Sequence, residues 1–281
     1  MSRYQNLFNR LEANNEGAFV PFVVLGDPSF ELSKQILMTL IESGADALEV
    51  SIPFTDPLAD GPEIQGAVLR ALGNGMSVEK SFTLLKEIRE LYPEIPIGLL
   101  MYANLVHAAG IDQFYARCQE VGVDSVLVAD VPLRESKDFR EAARKHAIAP
   151  IFICPPDATD ETIAGIAKEG EGYTYLVSRA GVTGVDKAEE GERDVRKGDG
   201  LGDDSLESNI AKLKAAGAPP IVQGFGIGTP SQAKHYLDHG VAGVISGSAV
   251  TQIIRENAAD ETKLLEKMAQ FIVSMKAATR R

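Results

Sequence analysis

Short runs rich in β-branched and other apolar residues recur at residues 18–25, 47–52, 97–101, 125–129, 150–154, 174–177, 220–224 and 243–246. Between them apolar positions return every three to four residues, the spacing of a helix with one buried face, at 31–43, 78–91, 111–121, 135–146, 160–168, 206–216 and 230–239. A last stretch of this kind covers 261–276. Apolar strands alternating with amphipathic helices are the pattern of parallel βαβ units, whose strands are covered on both faces. Eight units in 281 residues predict an α/β chain forming a single (β/α)8 TIM barrel domain over residues 1–281, with an extra N-terminal helix. The alternative, an open doubly wound sheet, would more often carry GxGxxG after its first strand; here that strand runs into Gly26-Asp27-Pro28.

One segment breaks the rhythm. Residues 185–204, VDKAEEGERDVRKGDGLGDD, hold twelve charged residues in twenty and almost no apolar periodicity. This predicts an extended, mobile, charged loop after the sixth strand.

Composition narrows the classes of function. A net charge of −12 opposes binding to a polyanion, and no Lys/Arg cluster with interleaved aromatics offsets it, so nucleic acid is not expected as a partner. The first nineteen residues carry charges inside their apolar pattern, which predicts neither a signal peptide nor a membrane anchor and points to the cytoplasm. Cys118 and Cys154 lack a CxxC partner and read as buried free thiols.

Barrel active sites lie at the C-terminal ends of the strands and in the loops that follow. That rule selects Glu49, Asp60, Tyr102, Asn104, Asp130, Tyr175, Arg179 and Thr183. No lysine stands at a strand end, which removes Schiff-base chemistry, and no His/carboxylate spacing suggests a metal. His107, His146, His235 and His239 fall in helix or loop contexts and read as surface residues. Acid–base work then falls to carboxylates. Glu49 comes first, because a carboxylate among apolar strand neighbours loses hydration and must be paired, neutralised or used.

The late strands add a second signal. Gly224-Phe225-Gly226-Ile227-Gly228 and Ser246-Gly247-Ser248 end two adjacent strands, and a short helix starting at Ser248-Ala249 would aim its positive end at an anion. Phosphate is the anion this position of a barrel commonly holds. A third glycine loop, residues 179–184, reads as a lid.

At these residues the chain resembles the α subunits of tryptophan synthase, over essentially its whole length. The motif LExxIPFxDPLADGP at residues 48–62 is the most specific part. Phe19-Val20-Pro21-Phe22, IGLLMYAN at 97–104, SRAGVTG at 178–184, QGFG at 223–226 and ISGS at 245–248 support it. The resemblance implies retro-aldol cleavage of indole-3-glycerol phosphate to indole and glyceraldehyde 3-phosphate. It gives Glu49 the acid/base role and Asp60 the ring nitrogen, with Tyr175 and Thr183 in support, Thr183 approaching Asp60 when the lid closes. Phosphate would sit on Gly184, Gly226, Gly247 and Ser248. Phe22, Leu100, Leu127, Ala129, Ile153 and Phe225 would form the indole slot. Pro53, Phe54, Asp56, Pro57 and Asn104 would face a β subunit in an α2β2 assembly, Phe54 being exposed. Pyridoxal phosphate would reside in that β subunit, and this chain would need neither cofactor nor metal.

Three competing readings follow from the same residues. Another phosphate-binding barrel enzyme would need a strand-end lysine or a metal site. A catalytically weak activator of the β subunit, or a lyase releasing free indole without a partner, would keep the fold. The chain also departs from the family pattern twice. Ser51 stands where members commonly have glycine, on the same side of its strand as Glu49. Its hydroxyl is expected to bond the carboxylate or crowd the substrate, altering turnover. The charged stretch after Gly184 is longer than members typically carry and is expected to affect lid closure more than stability.

Overall fold

The computed structural model describes residues 1–177 and 203–281. Eight parallel strands close a barrel in chain order: β1 (Ala18–Val24), β2 (Leu48–Ser51), β3 (Ile97–Met101), β4 (Ser125–Val128), β5 (Ala149–Cys154), β6 (Thr174–Val177), β7 (Ile221–Gly224) and β8 (Gly243–Ser246). β1 pairs with both β2 and β8, which leaves no free edge. Each strand lies within one residue of its predicted limits. The reason is burial on both faces: all seven residues of β1 are buried, so its apolar run is continuous rather than alternating.

The helices are α1 (Arg3–Ala13), α2 (Phe30–Glu42), α3 (Pro62–Gly73), α4 (Val78–Leu91), α5 (Ala103–Ala109), α6 (Ile111–Glu120), α7 (Lys137–Lys145), α8 (Asp160–Glu169), α9 (Asp203–Ala215), α10 (Pro230–Asp238), α11 (Ser248–Asn257) and α12 (Glu261–Ala277). Two were not foreseen. α3 carries Gly66 and Gly73, which weaken the helical signal, although Pro62 at its first turn marks the start. α5 has seven residues, too few for periodicity to register.

α1 is the predicted extra helix, started by a reciprocal Ser2/Gln5 capping box. It buries Tyr4, Leu7 and Leu11. Tyr4 hydrogen-bonds Ser125, the first residue of β4, at 2.9 Å, and Arg3 pairs with Asp124 at 2.9 Å. These contacts lie at the strand starts, so α1 covers the N-terminal mouth and leaves the opposite end to the βα loops. Cys118 and Cys154 are free and buried. His107 is exposed, but His146, His235 and His239 are half-buried, not fully on the surface as expected. His146 sits between Asp112 and Gln119, which explains its partial cover. Among the described residues no helix is long and apolar enough to cross a membrane. The charged stretch up to residue 202, with Arg179, Thr183 and Gly184, lies outside the described residues.

Candidate active site

Glu49 lies in the middle of β2, with Phe22 of β1 and Gly98 of β3 as its register partners. Partners across parallel strands share a face, so Phe22 and Glu49 stand side by side inside the barrel. Glu49 is 2% exposed. Loss of hydration pushes its carboxyl up to about 7, against the opposing pull of a hydrogen bond that Tyr173 donates to Oε1 at 2.8 Å. Oε2 is buried with no hydrogen-bond partner among the described residues.

Asp60 ends the turn-rich loop that follows β2. Gly61 caps α3 and Pro62 begins it, while Gln65 in the first turn of that helix donates its side-chain amide to the Asp60 carbonyl at 2.6 Å. Tyr102, at the end of β3, donates its hydroxyl to Asp60 Oδ1 at 3.0 Å and accepts from the Ala59 amide at 3.2 Å. Burial raises the Asp60 pKa and the Tyr102 bond lowers it. Burial also raises the Tyr173 and Tyr175 phenols well above their ordinary value, helped by the negative charge of Glu49. Both tyrosines therefore stay neutral and can donate a hydrogen bond.

Both carboxylates line one cavity at the open end of the barrel. Phe22, Ile64, Leu100, Tyr175, Phe225, Ile227 and Ile245 give it an apolar wall. Gly226, Gly247 and Ser248 line it as well, the last two where α11 begins. Tyr175 meets Phe225 edge to face, ring centres 6.3 Å apart. Gly224 makes room for this ring: a Cβ there would lie 2.2 Å from Tyr175.

Of the residues expected from sequence, Phe22, Glu49, Asp60, Leu100, Tyr175, Phe225, Gly226, Gly247 and Ser248 meet at the cavity. Leu127, Ala129 and Ile153 do not line it: Leu127 is buried, and Ala129 and Ile153 are half-buried against the core. Ile64, Ile227 and Ile245 line it unforeseen. Ile64 lies on the helix the pattern missed; Ile245 could have been found, since it stands two positions before Gly247 and so on the same face of the chain. Tyr173 was also unforeseen. It stands one residue before β6, where strand-end rules do not look, and it bonds Glu49. Ser51 is buried but does not bond Glu49; among the described residues the only hydrogen bond to that carboxylate comes from Tyr173. No His, Cys, Asp and Glu cluster among the described residues could hold a metal.

A family model described as tryptophan synthase alpha chain matches residues 8–280. The chain belongs to the tryptophan synthase alpha chain family. Relatives under that name include one from Photobacterium profundum, 54% identical over 281 residues and covering 100% of this chain and 99% of its own length. One from Proteus mirabilis is 56% identical over 279 residues, covering 99% of each. The fold also matches the crystal structure of tryptophan synthase subunit alpha from Legionella pneumophila, with a TM-score of 0.86, 29% identity, and coverage of 99% of this chain and 98% of that one. In this tryptophan synthase alpha chain family member, the loop carrying Asp60 runs from cover to exposure. Pro53 is buried and Phe54 is half-buried against Tyr102, ring centres 5.7 Å apart, which corrects the expectation of an exposed Phe54. Asp56 and Asn104 are exposed, Pro57 is half-buried, and Leu58 is 75% exposed.

Proposed function

We propose that Glu49 and Asp60 carry the reaction of this family, retro-aldol cleavage of indole-3-glycerol phosphate to indole and glyceraldehyde 3-phosphate in tryptophan biosynthesis. Protonating the ring carbon that bears the glycerol chain dearomatises the pyrrole ring and places positive charge on the ring nitrogen. Removing the proton of the neighbouring hydroxyl turns that C–O bond into the aldehyde carbonyl. The C–C bond breaks, and its electron pair restores the aromatic ring. One proton is given and one taken, so a single carboxyl beside both atoms ends as it began.

Glu49 suits both halves because its pKa of about 7 makes neither transfer steeply uphill near neutral pH. Asp60, on the same cavity, balances the charge at the ring nitrogen. The apolar wall takes the indole. Gly226, Gly247 and Ser248 take the phosphate, through backbone N–H groups and one hydroxyl at the start of α11. Tyr175 supports the substrate as a neutral phenol.

The observation that carries this reading is the shared cavity: the buried carboxyl of Glu49, whose pKa burial raises, the second carboxylate Asp60, and the glycine-rich start of a helix all line it. The residues present need no metal or organic cofactor for this proton transfer. The exposed Leu58, together with Asp56, Pro57 and Asn104, is the surface for a β subunit that would hold pyridoxal phosphate, in an α2β2 complex in the cytoplasm. The test is indole release from indole-3-glycerol phosphate by the purified chain, alone and with a β subunit. Glu49→Gln should lose cleavage by about 10²-fold or more while still binding the β subunit. Activation of the β subunit by the wild-type chain with no indole released would instead mark it as an activator.

A further inference from the structure

The glycine-rich end of the cavity is held from behind by two side chains that do not line it. On β8, Ile245 lines the cavity, and alternation turns Ser246 away from it. Ser246 is fully buried and donates its hydroxyl to the Ile227 carbonyl at 2.7 Å. From the other side, Gln232 in the first turn of α10 accepts hydrogen bonds from the Gly228 and Thr229 amides at 2.8 and 3.0 Å. The same glutamine completes a capping box with Thr229, so its position is fixed by the helix start.

The turn that leads into these two braces is not a relaxed one. Phe225 has φ of 67° and Gly226 φ of 73°, two successive left-handed residues of which the first is a bulky aromatic. A phenylalanine holds that conformation only where its surroundings over-determine it. Here the surroundings are Tyr175 at its ring and the two braces on the next residues. Phe225, Gly226 and Ile227 all line the cavity, so the shape of this turn is part of the shape of the cavity that Ser248 also lines.

We propose that Ser246 and Gln232 are positioning residues that hold the turn after β7 in the form that receives the substrate's phosphate. The inference rests on the phosphate reading of this end of the cavity. With either brace removed, the left-handed pair is free to relax, the Gly226 amide moves off its line to the anion, and phosphate affinity falls while the acid–base pair stays in place.

The experiment uses the full chain with its β subunit. It measures kcat and KM for indole-3-glycerol phosphate and for unphosphorylated indole-3-glycerol, together with calorimetric binding of glycerol 3-phosphate. Ser246→Ala and Gln232→Leu should each raise KM for the phosphorylated substrate, and Kd for glycerol 3-phosphate, by about tenfold, with a much smaller fall in kcat. The unphosphorylated substrate should be handled as by the wild type. Ser246→Thr and Gln232→Glu, which keep the donor and the acceptor, should restore binding. Unchanged affinity in both disruptive variants overturns the proposal, as does an equal loss on both substrates, which would mark a general structural defect. Should Ser246→Ala not fold, Gln232→Leu decides alone, since Gln232 is only half-buried. A wild-type chain that binds glycerol 3-phosphate no better than glycerol would defeat the phosphate reading itself; unchanged variants of a chain that does bind it defeat only the braces.

Discussion

Tyr173 donates its hydroxyl to Glu49 Oε1 at 2.8 Å, joining the residue just before β6 to the middle of β2 inside the barrel. The bond favours the ionised carboxylate, and burial opposes it and wins. Removing the hydroxyl leaves burial alone. In Tyr173→Phe the Glu49 ionisation should therefore move to higher pH. The inflection in the pH profile of kcat for indole release should shift upward by roughly one unit, the effect of losing one hydrogen bond to a charged group. An unmoved inflection would mean that the bond does not act on the titrating group.

The same burial makes stability depend on pH. Glu49 has an ordinary value of 4.5 and a folded value of about 7, so between these limits the folded chain holds a proton that the unfolded chain releases. Stability from this group is complete below pH 4.5 and is lost as pH rises through 7, by about 3 kcal/mol in all. Glu49→Gln has no such loss. Relative to wild type, its unfolding free energy in urea should climb across that window and level off above it; parallel curves would show that Glu49 titrates alike in both states.

Tyr102 holds both Asp60 Oδ1 and the Ala59 amide. Tyr102→Phe keeps the ring that packs on Phe54 but removes both bonds. The Asp60 pKa should rise further, since the opposing hydrogen bond is gone. Steady-state kcat should fall by about tenfold or more with the circular dichroism spectrum unchanged, in line with the ~1.5–3 kcal/mol worth of a hydrogen bond to a charged group.

Gly224 meets the Tyr175 ring where any side chain would begin. Gly224→Ala must push that ring toward the cavity, and overpacking of this kind costs about 1–3 kcal/mol. A lower Tm together with a raised KM for indole-3-glycerol phosphate is the expected result, and an unchanged pair of values would show that the wall yields freely.

Ser51→Gly should leave the Glu49 inflection where it is. The hydroxyl makes no bond to that carboxylate, so the expected link between this departure from the family pattern and the acid/base has no contact to carry it. A shifted inflection would reveal an effect carried by solvent or substrate.

The barrel was legible in the sequence because strands buried on both faces leave continuous apolar runs, and eight of them alternate with amphipathic helices. Glu49 was legible as a candidate for a related reason, since a carboxylate inside such a run must be paired, neutralised or used, and Asp60 because it lies in the loop that follows a strand. Helices α3 and α5 were not, one diluted by glycine and the other too short. The partners of the site were decided only in three dimensions. Tyr173 lies 124 positions from Glu49, and Ser246 lies 19 from the carbonyl it holds. No local spacing encodes such pairs, because closure of the barrel, not proximity along the chain, brings them within hydrogen-bond reach. Periodicity records which face of each element is buried; which buried polar groups then find one another depends on strand register and loop path, and those exist only once the sheet has closed on itself.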